Sequence, residues 1–229
     1  MSSFIWCEDS ASGYQFWKTL FGTLYPDHIV ESKKTNSGLR KAVNGISDTE
    51  NTYYIIMDNA IDNPNVLREM KRLRADTEGK ANVRLIKLHS FEFALISFEY
   101  LENWIFADDD ELKADRHDLL DARKRFVQLI YNGGDAEELR AFKTNFNFEE
   151  NLNTENIAAK LLFRLTRNTG FETDKSKIGT CFINSCCEWD ERQNDDICGL
   201  DSTRLTLHEK MTQITEHSAL NTAFREAGL

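Results

Sequence analysis

The sequence predicts an α/β fold: a mostly parallel sheet flanked by helices, with a helical C-terminal lobe packed on it. Three observations carry this reading. Short apolar runs alternate with helical patterns over the first 90 residues, and β-α repetition of this kind gives parallel strands joined by crossover helices. From residue 91 the strand-type runs stop, and apolar residues recur at helical spacing instead. The length, 229 residues with 41% hydrophobic, suffices for one sizeable core or one core with an appended lobe. The expected division is an α/β domain over 1–105 and a mainly helical lobe over 106–229.

The elements follow in order. Phe4-Ile5-Trp6-Cys7 reads as a buried strand that stops at Glu8-Asp9. Ser12 to Gln15 has the S-x-x-Q form of a capping box, and Phe16, Trp17, Leu20, Phe21 and Leu24 continue as a helical face that ends at Tyr25-Pro26. Ile29-Val30 is a weak strand, and Leu39 to Ile46 suits a short helix. Tyr53-Tyr54-Ile55-Ile56-Met57 is the strongest strand signal and ends at Asp58. Asn63-Pro64 supplies an N-cap followed by proline at the first helical position, with Val66, Leu67, Met70 and Leu73 as the apolar face. Val83 to Leu88 is a further strand.

Beyond it, Ala94, Leu95, Phe98, Leu101 and Ile105 form one helical stripe. Asp108 to Glu111 is an acidic break, Leu119 to Ile130 a charged helix with Leu119, Leu120, Val127 and Ile130 inward, and Asn132 to Asp135 a turn. Ile157, Leu161, Leu162 and Leu165 mark another helix. Thr206 to Glu209 opens the last with a second capping box.

Composition excludes several classes. No apolar run is long enough to span a membrane. MSSFIWCED lacks the basic region of a signal peptide, so the five cysteines are expected as reduced thiols in a cytoplasm. Neither G-x4-G-K-[ST] nor G-x-G-x-x-G occurs, which argues against nucleotide binding in the usual modes. Net charge is −10, yet residues 1–90 are nearly balanced, with 12 Lys+Arg against 11 Asp+Glu; the remainder carries 16 against 27.

In an open parallel sheet, ligands bind beyond the carboxyl ends of the strands. Two strand ends here carry acids, Glu8 (with Asp9) and Asp58, and Asp62 precedes the next helix. Hard cations such as Mg²⁺ take oxygen ligands and keep several waters, so two or three carboxylates suffice. Acids at these places also cap helices, which is the plain structural alternative. Lys33, Lys34 and Arg40 lie on or after the second strand, where they could contact a phosphate backbone. Arg68, Lys71, Arg72 and Arg74 lie on one helix at spacings that cannot all face one way. His89 follows the last strand near Glu92, either as a general base or as a buried structural histidine. Cys181, Cys186, Cys187 and Cys198 suit structural zinc by number but lack a C-x2-C pair; buried free thiols are the alternative.

The strand Phe4–Cys7 closed by Glu8-Asp9, the aromatic-rich helix after it, and Ile55-Ile56-Met57-Asp58 together resemble the Toprim fold of topoisomerases, primases and overcoming-lysogenisation-defect nucleases. Glu8 matches the first acidic motif of that family. Asp58 matches the first member of its Asp-x-Asp motif. Position 60 is Ala, so Asp62 would have to replace the second member. Lys87-Leu-His-Ser-Phe-Glu92-Phe93 is similar to a segment of small Toprim effectors of bacterial phage defence, making Glu92 a further acidic candidate.

The resemblance covers about residues 3–105. It implies a nuclease dependent on Mg²⁺ or Mn²⁺, cleaving DNA or RNA (tRNA included) in anti-phage defence. Glu8, Asp58 and Asp62 would be metal ligands, with Glu8, Asp58 and Glu92 catalytic. It also implies a partner ATPase and leaves room for a homo-oligomer. The missing acid at position 60 motivates a second expectation, an inactive Toprim-like or Rossmann-like interaction module beside an ATPase.

Overall fold

The computed structural model describes residues 1–60, 62–187 and 198–229. Four strands, β1 (Ser3–Cys7), β2 (His28–Ser32), β3 (Thr52–Asp58) and β4 (Val83–Leu88), form one sheet in the order β2-β1-β3-β4. All three pairings are parallel. Cys7 sits opposite Ser32 and Ile56, and Asp58 opposite Leu88, so the strands end along one edge. The chain winds from β1 outward to β2, then returns to β3 on the other side of β1. The gap between the ends of β1 and β3 is therefore the topological switch point, where such sheets bind ligands.

Side-chain alternation sorts the strand residues onto two faces. Trp6, Tyr53, Ile55 and Met57 pack with α2 (Asn36–Asn44) and α3 (Pro64–Thr77), through Leu39, Val43, Met70 and Leu73. Ile5, Cys7, Tyr54, Ile56, Ile86 and Leu88 face the larger core. That core contains α1 (Ala11–Leu24), α4 (Phe91–Ser97) and α5 (Leu101–Ile105). Helices α6 (Glu111–Asp115), α7 (His117–Tyr131), α8 (Ala136–Asn145), α9 (Thr154–Thr166), α10 (Thr180–Ile183), α11 (Leu207–Glu216) and α12 (Ala219–Ala227) complete that side of the molecule. Ile105 and Phe106 both lie in this one core, which runs from Ile5 to Ala227. Helix α12 packs on β4, and Arg84 Nη1 donates to Ala227 O at 3.2 Å. Among the described residues no helix is long and apolar enough to cross a membrane.

Several local expectations change. The stripe from Ala94 to Ile105 is broken into α4 and α5, because Phe98 turns extended. Arg123 makes the break: its guanidinium donates to Ile96 O at 2.8 Å and to Phe98 O, capping the end of α4 from another helix. The capping box at Ser12 does not form. Ser10 is the N-cap, Ala11 is left-handed at φ +51°, and Ser12 Oγ donates instead to Lys175 O at 3.1 Å. Asp135 does more than turn the chain, because it closes a capping box with Glu138 and opens α8. In α7 the fully buried residues are Ala122 and Phe126, and the aliphatic residues expected inward are half-buried. The Asn63-Pro64 start and the Thr206–Glu209 box form as expected, but the helix that the box opens is not the last, since α12 follows it.

Candidate functional site

At the switch point lies an open cavity of about 350 Å³ lined by Glu8, Asp9, Asp58, Glu92, Glu155 and Lys175, among others. The two central strands contribute their ends and each crossover its start. Glu8 and Asp9 leave β1, and Asp58 closes β3. Glu92 sits in the first turn of α4, which is capped by Ser90 Oγ accepting from Phe93 N. Glu155 sits in the first turn of α9, capped by Asn153. Ser12 and Gly13 of α1, Asn36 of α2 and Val66 of α3 complete the rim, so the first turns of five helices surround the cavity. Their positive dipole ends favour negative charge there and partly offset the repulsion between the acids.

The acids hold one another in place. Glu8 Oε1 accepts from the Asp58 backbone N–H at 3.2 Å, across the switch point. Asp9 Oδ2 accepts from Trp17 Nε1 at 2.7 Å, and its carbonyl accepts from Ser32 Oγ. The Asp9 carboxylate lies so close to α1 that a Cβ at Gly13 would meet Asp9 Oδ1 at 2.4 Å; any larger residue there displaces it.

Burial dominates the electrostatics. It pushes Glu8 up to about 7, reinforced by the charges of Asp9 and Glu155 and opposed by the Asp58 N–H. Burial likewise pushes Glu92 up to about 7, against its bond with Ser90. Asp58 rises well above the carboxylate range through burial and then the charges of Asp9, Glu8, Glu92 and Glu155. Burial raises Asp9 despite its bond from Trp17. Among the described lining residues, Lys175 is the only cation. This pocket therefore retains protons near neutrality unless positive charge enters it.

The donors are all oxygens, the set that suits a hard divalent cation. Among the described residues no group of three or more His, Cys, Asp or Glu is drawn close enough to enclose an ion. Mg²⁺ needs no such cage, since one or two carboxylates with waters and substrate phosphates hold it. Glu8 and Asp58 line the cavity together, with the Asp58 backbone N–H donating to the Glu8 carboxylate.

Glu8, Asp58 and Glu92 are thus brought together, but Asp62 is not. It lines a different cavity, beside α8 and α9. Its carboxylate accepts from Thr154 N at 3.0 and 3.1 Å and from Thr154 Oγ1 at 2.6 Å, fixing the start of α9. Asp62 therefore acts on the site indirectly, by seating the helix turn that presents Glu155. His89 belongs to the same anchor, with Nε2 2.8 Å from Thr154 Oγ1. Because that hydroxyl donates to Asp62, it accepts from His89 Nε2–H. Burial lowers His89 to about 4, so the ring is neutral and structural.

The basic candidates also lie off the cavity. Arg40 Nε donates to Asp76 at 2.8 Å, and its Nη1 lies 3.4 Å from Glu69, so it ties α2 to α3 rather than standing ready for phosphate. Lys33 Nζ lies 2.6 Å from Glu31 and 4.0 Å over the Trp6 ring. Lys34 is exposed in a left-handed turn, φ +67°. The four C-terminal cysteines line a small cavity with Lys210, whose buried Nζ donates to Cys181 O and Asn184 O.

Glu155 and Lys175 escaped sequence reading. Asn153-Thr154-Glu155 before the stripe at Ile157 signals a helix start, not a site. Lys175 lies in irregular chain and carries no local signal; the bond from Ser12 Oγ to its carbonyl holds it beside α1. No family model matches the chain, and no curated protein or solved structure does.

Proposed function

We propose that the protein is a divalent-metal-dependent phosphodiesterase acting on nucleic acid. One observation carries this reading: Glu8, Asp58 and Glu92, from two strand ends and a helix start, meet in one cavity at the switch point with burial raising all three. Three raised, adjacent carboxyls are costly for a fold and characteristic of a site that binds cations or moves protons.

Glu8 and Asp58 would hold Mg²⁺ or Mn²⁺. A bound cation of this kind neutralises charge on the phosphate and makes water a better nucleophile. Glu92, with a pKa near 7, is matched to taking the proton from the attacking water at neutral pH. Water oxygen bonds to phosphorus as one P–O ester bond breaks, and the leaving oxygen takes a proton. Lys175 at the rim, the cation of the cavity, draws the phosphate in. The likeness of the Lys87–Phe93 segment to small Toprim effectors, beside the Toprim-like segments that end at Glu8-Asp9 and Asp58, supports a role in anti-phage defence.

Ala60, fully buried where an Asp-x-Asp motif would place its second acid, favours a second reading, a non-catalytic module that binds an ATPase. The two part in a cleavage assay. Single- and double-stranded DNA and RNA are incubated with the full chain in Mg²⁺, Mn²⁺ or EDTA. Products that form with either metal and vanish in EDTA are the expected result. Intact substrate under every condition selects the binding module.

A further inference from the structure

A second cavity opens directly beside the acids. It measures about 310 Å³ and shares Glu92 and Lys175 with the acidic cavity. Its walls differ in chemistry. Leu152, Ala159 and Phe163, all half-buried, give it an apolar lining. Asn156 stands at the side nearest Lys175, with Oδ1 3.5 Å from Lys175 Nζ and Nδ2 donating to Asn153 at 2.8 Å. The other lysine of the lining, Lys160, is held by Glu149 at 2.6 Å, so Lys175 is the cation at the junction.

We propose that this cavity is a nucleobase subsite, and that the substrate is a single strand or an unpaired nucleotide. The inference rests on the phosphodiesterase reading and names its substrate class. A flat apolar ring with a polar edge matches this lining, its faces toward Leu152, Ala159 and Phe163 and its edge toward the Asn156–Lys175 side, where it would compete for the 3.5 Å contact between those two. Lys175, shared by the two cavities, is the group that would take the adjoining phosphate. A base held in a duplex is stacked and paired, so it cannot enter a side cavity without being extruded. A single strand offers its bases at little cost, and aromatic stacking captures them without regard to sequence.

The test separates this claim from the one beneath it. Short fluorescent strands of mixed sequence, DNA and RNA, are titrated with the full chain in Ca²⁺, alongside the same sequence as a duplex. Cleavage is measured in parallel in Mn²⁺. The wild type is expected to bind the single strand about tenfold or more tighter than the duplex. Phe163→Ala is expected to weaken single-strand binding roughly 5- to 100-fold with duplex binding unchanged, and Phe163→Tyr to restore it. Ala159→Phe, which fills the cavity instead of emptying it, is expected to weaken binding in the same way and covers a failure of Phe163→Ala to fold. Equal affinity for strand and duplex, or single-strand binding unmoved by both variants, overturns the subsite. Metal-dependent cleavage together with that result leaves the phosphodiesterase standing without it. Phe163-dependent binding with no cleavage in any metal removes the phosphodiesterase and keeps the subsite.

Discussion

Asp58→Asn is expected to lower metal-dependent cleavage by about 10²-fold or more, while Asp62→Asn stays within a few-fold of the wild type. The two residues are four apart and both fit the sequence pattern of a metal ligand, so the contrast is discriminating. Asp58 is half-buried at the end of β3, its N–H donating to Glu8 and its carboxyl beside four other acids, Glu8, Asp9, Glu92 and Glu155. Asparagine keeps the shape and removes the charge that would attract a cation. Asp62 instead accepts three hydrogen bonds from Thr154. Its amide variant loses part of that cap, so Asp62→Asn is expected to show mainly a lower melting temperature. The measurement is initial cleavage rate at saturating Mn²⁺, with melting temperature taken on the same samples. Equal rates for wild type and Asp58→Asn would remove the carboxylate cluster from the chemistry.

Stability is expected to reveal the same cluster without any substrate. The folded pKa of Glu8 and of Glu92 lies near 7, above the ordinary carboxylate value. The native state therefore binds protons more tightly than the unfolded chain. The stability these groups contribute is fully present below about pH 4.5 and is lost as pH rises through 7. Glu8→Gln, which cannot ionise, avoids that loss.

At pH 8 without divalent cation, Glu8→Gln is expected to be more stable than the wild type by about 1–2 kcal/mol, discounting the full shift for partial solvent access. For a chain of this size that is roughly 2–8 °C in melting temperature. At pH 5 the difference is expected to close. Carboxylates with lowered pKa elsewhere, such as Asp48 and Asp174, act oppositely in acid but are common to both proteins and cancel. Added Mg²⁺ or Mn²⁺ is expected to stabilise the wild type at pH 8 and hardly at pH 5. A wild type as stable as Glu8→Gln at pH 8 in EDTA would mean that Glu8 bears no such penalty.

Much of this was legible in the residues. The central strands β1 and β3 declare themselves because a strand buried on both faces needs a continuous apolar run, as at Tyr53–Met57, whereas the edge strand β2, with Ile29 exposed, reads only weakly. Glu8 and Asp58 are legible because an acid that ends such a run must lie at the carboxyl edge. Glu92 entered only through the likeness of Lys87–Phe93 to a Toprim segment, and the fold brings it to the same cavity. What stayed hidden depends on contacts between distant segments. The α4–α5 break is imposed by Arg123, which no pattern around Phe98 records. Asp62 looked like a ligand because its partner, Thr154, is far off in sequence. Arg40 looked like a phosphate contact because Asp76 and Glu69 lie on another helix. Helix α12 has only Leu220, Ala223, Phe224 and Ala227 to mark its buried face, and it becomes evident only against β4.

The central claim is that Glu8 and Asp58 together bind a divalent cation. Its most direct test is a Mn²⁺ titration at pH 8, followed by electron paramagnetic resonance, with a short single strand present. The wild type is expected to take up Mn²⁺ saturably, weakening as pH falls through 7, and the Glu8→Gln/Asp58→Asn double variant to lose that uptake. Identical titrations for the two proteins, or no saturable uptake by the wild type, would contradict the account.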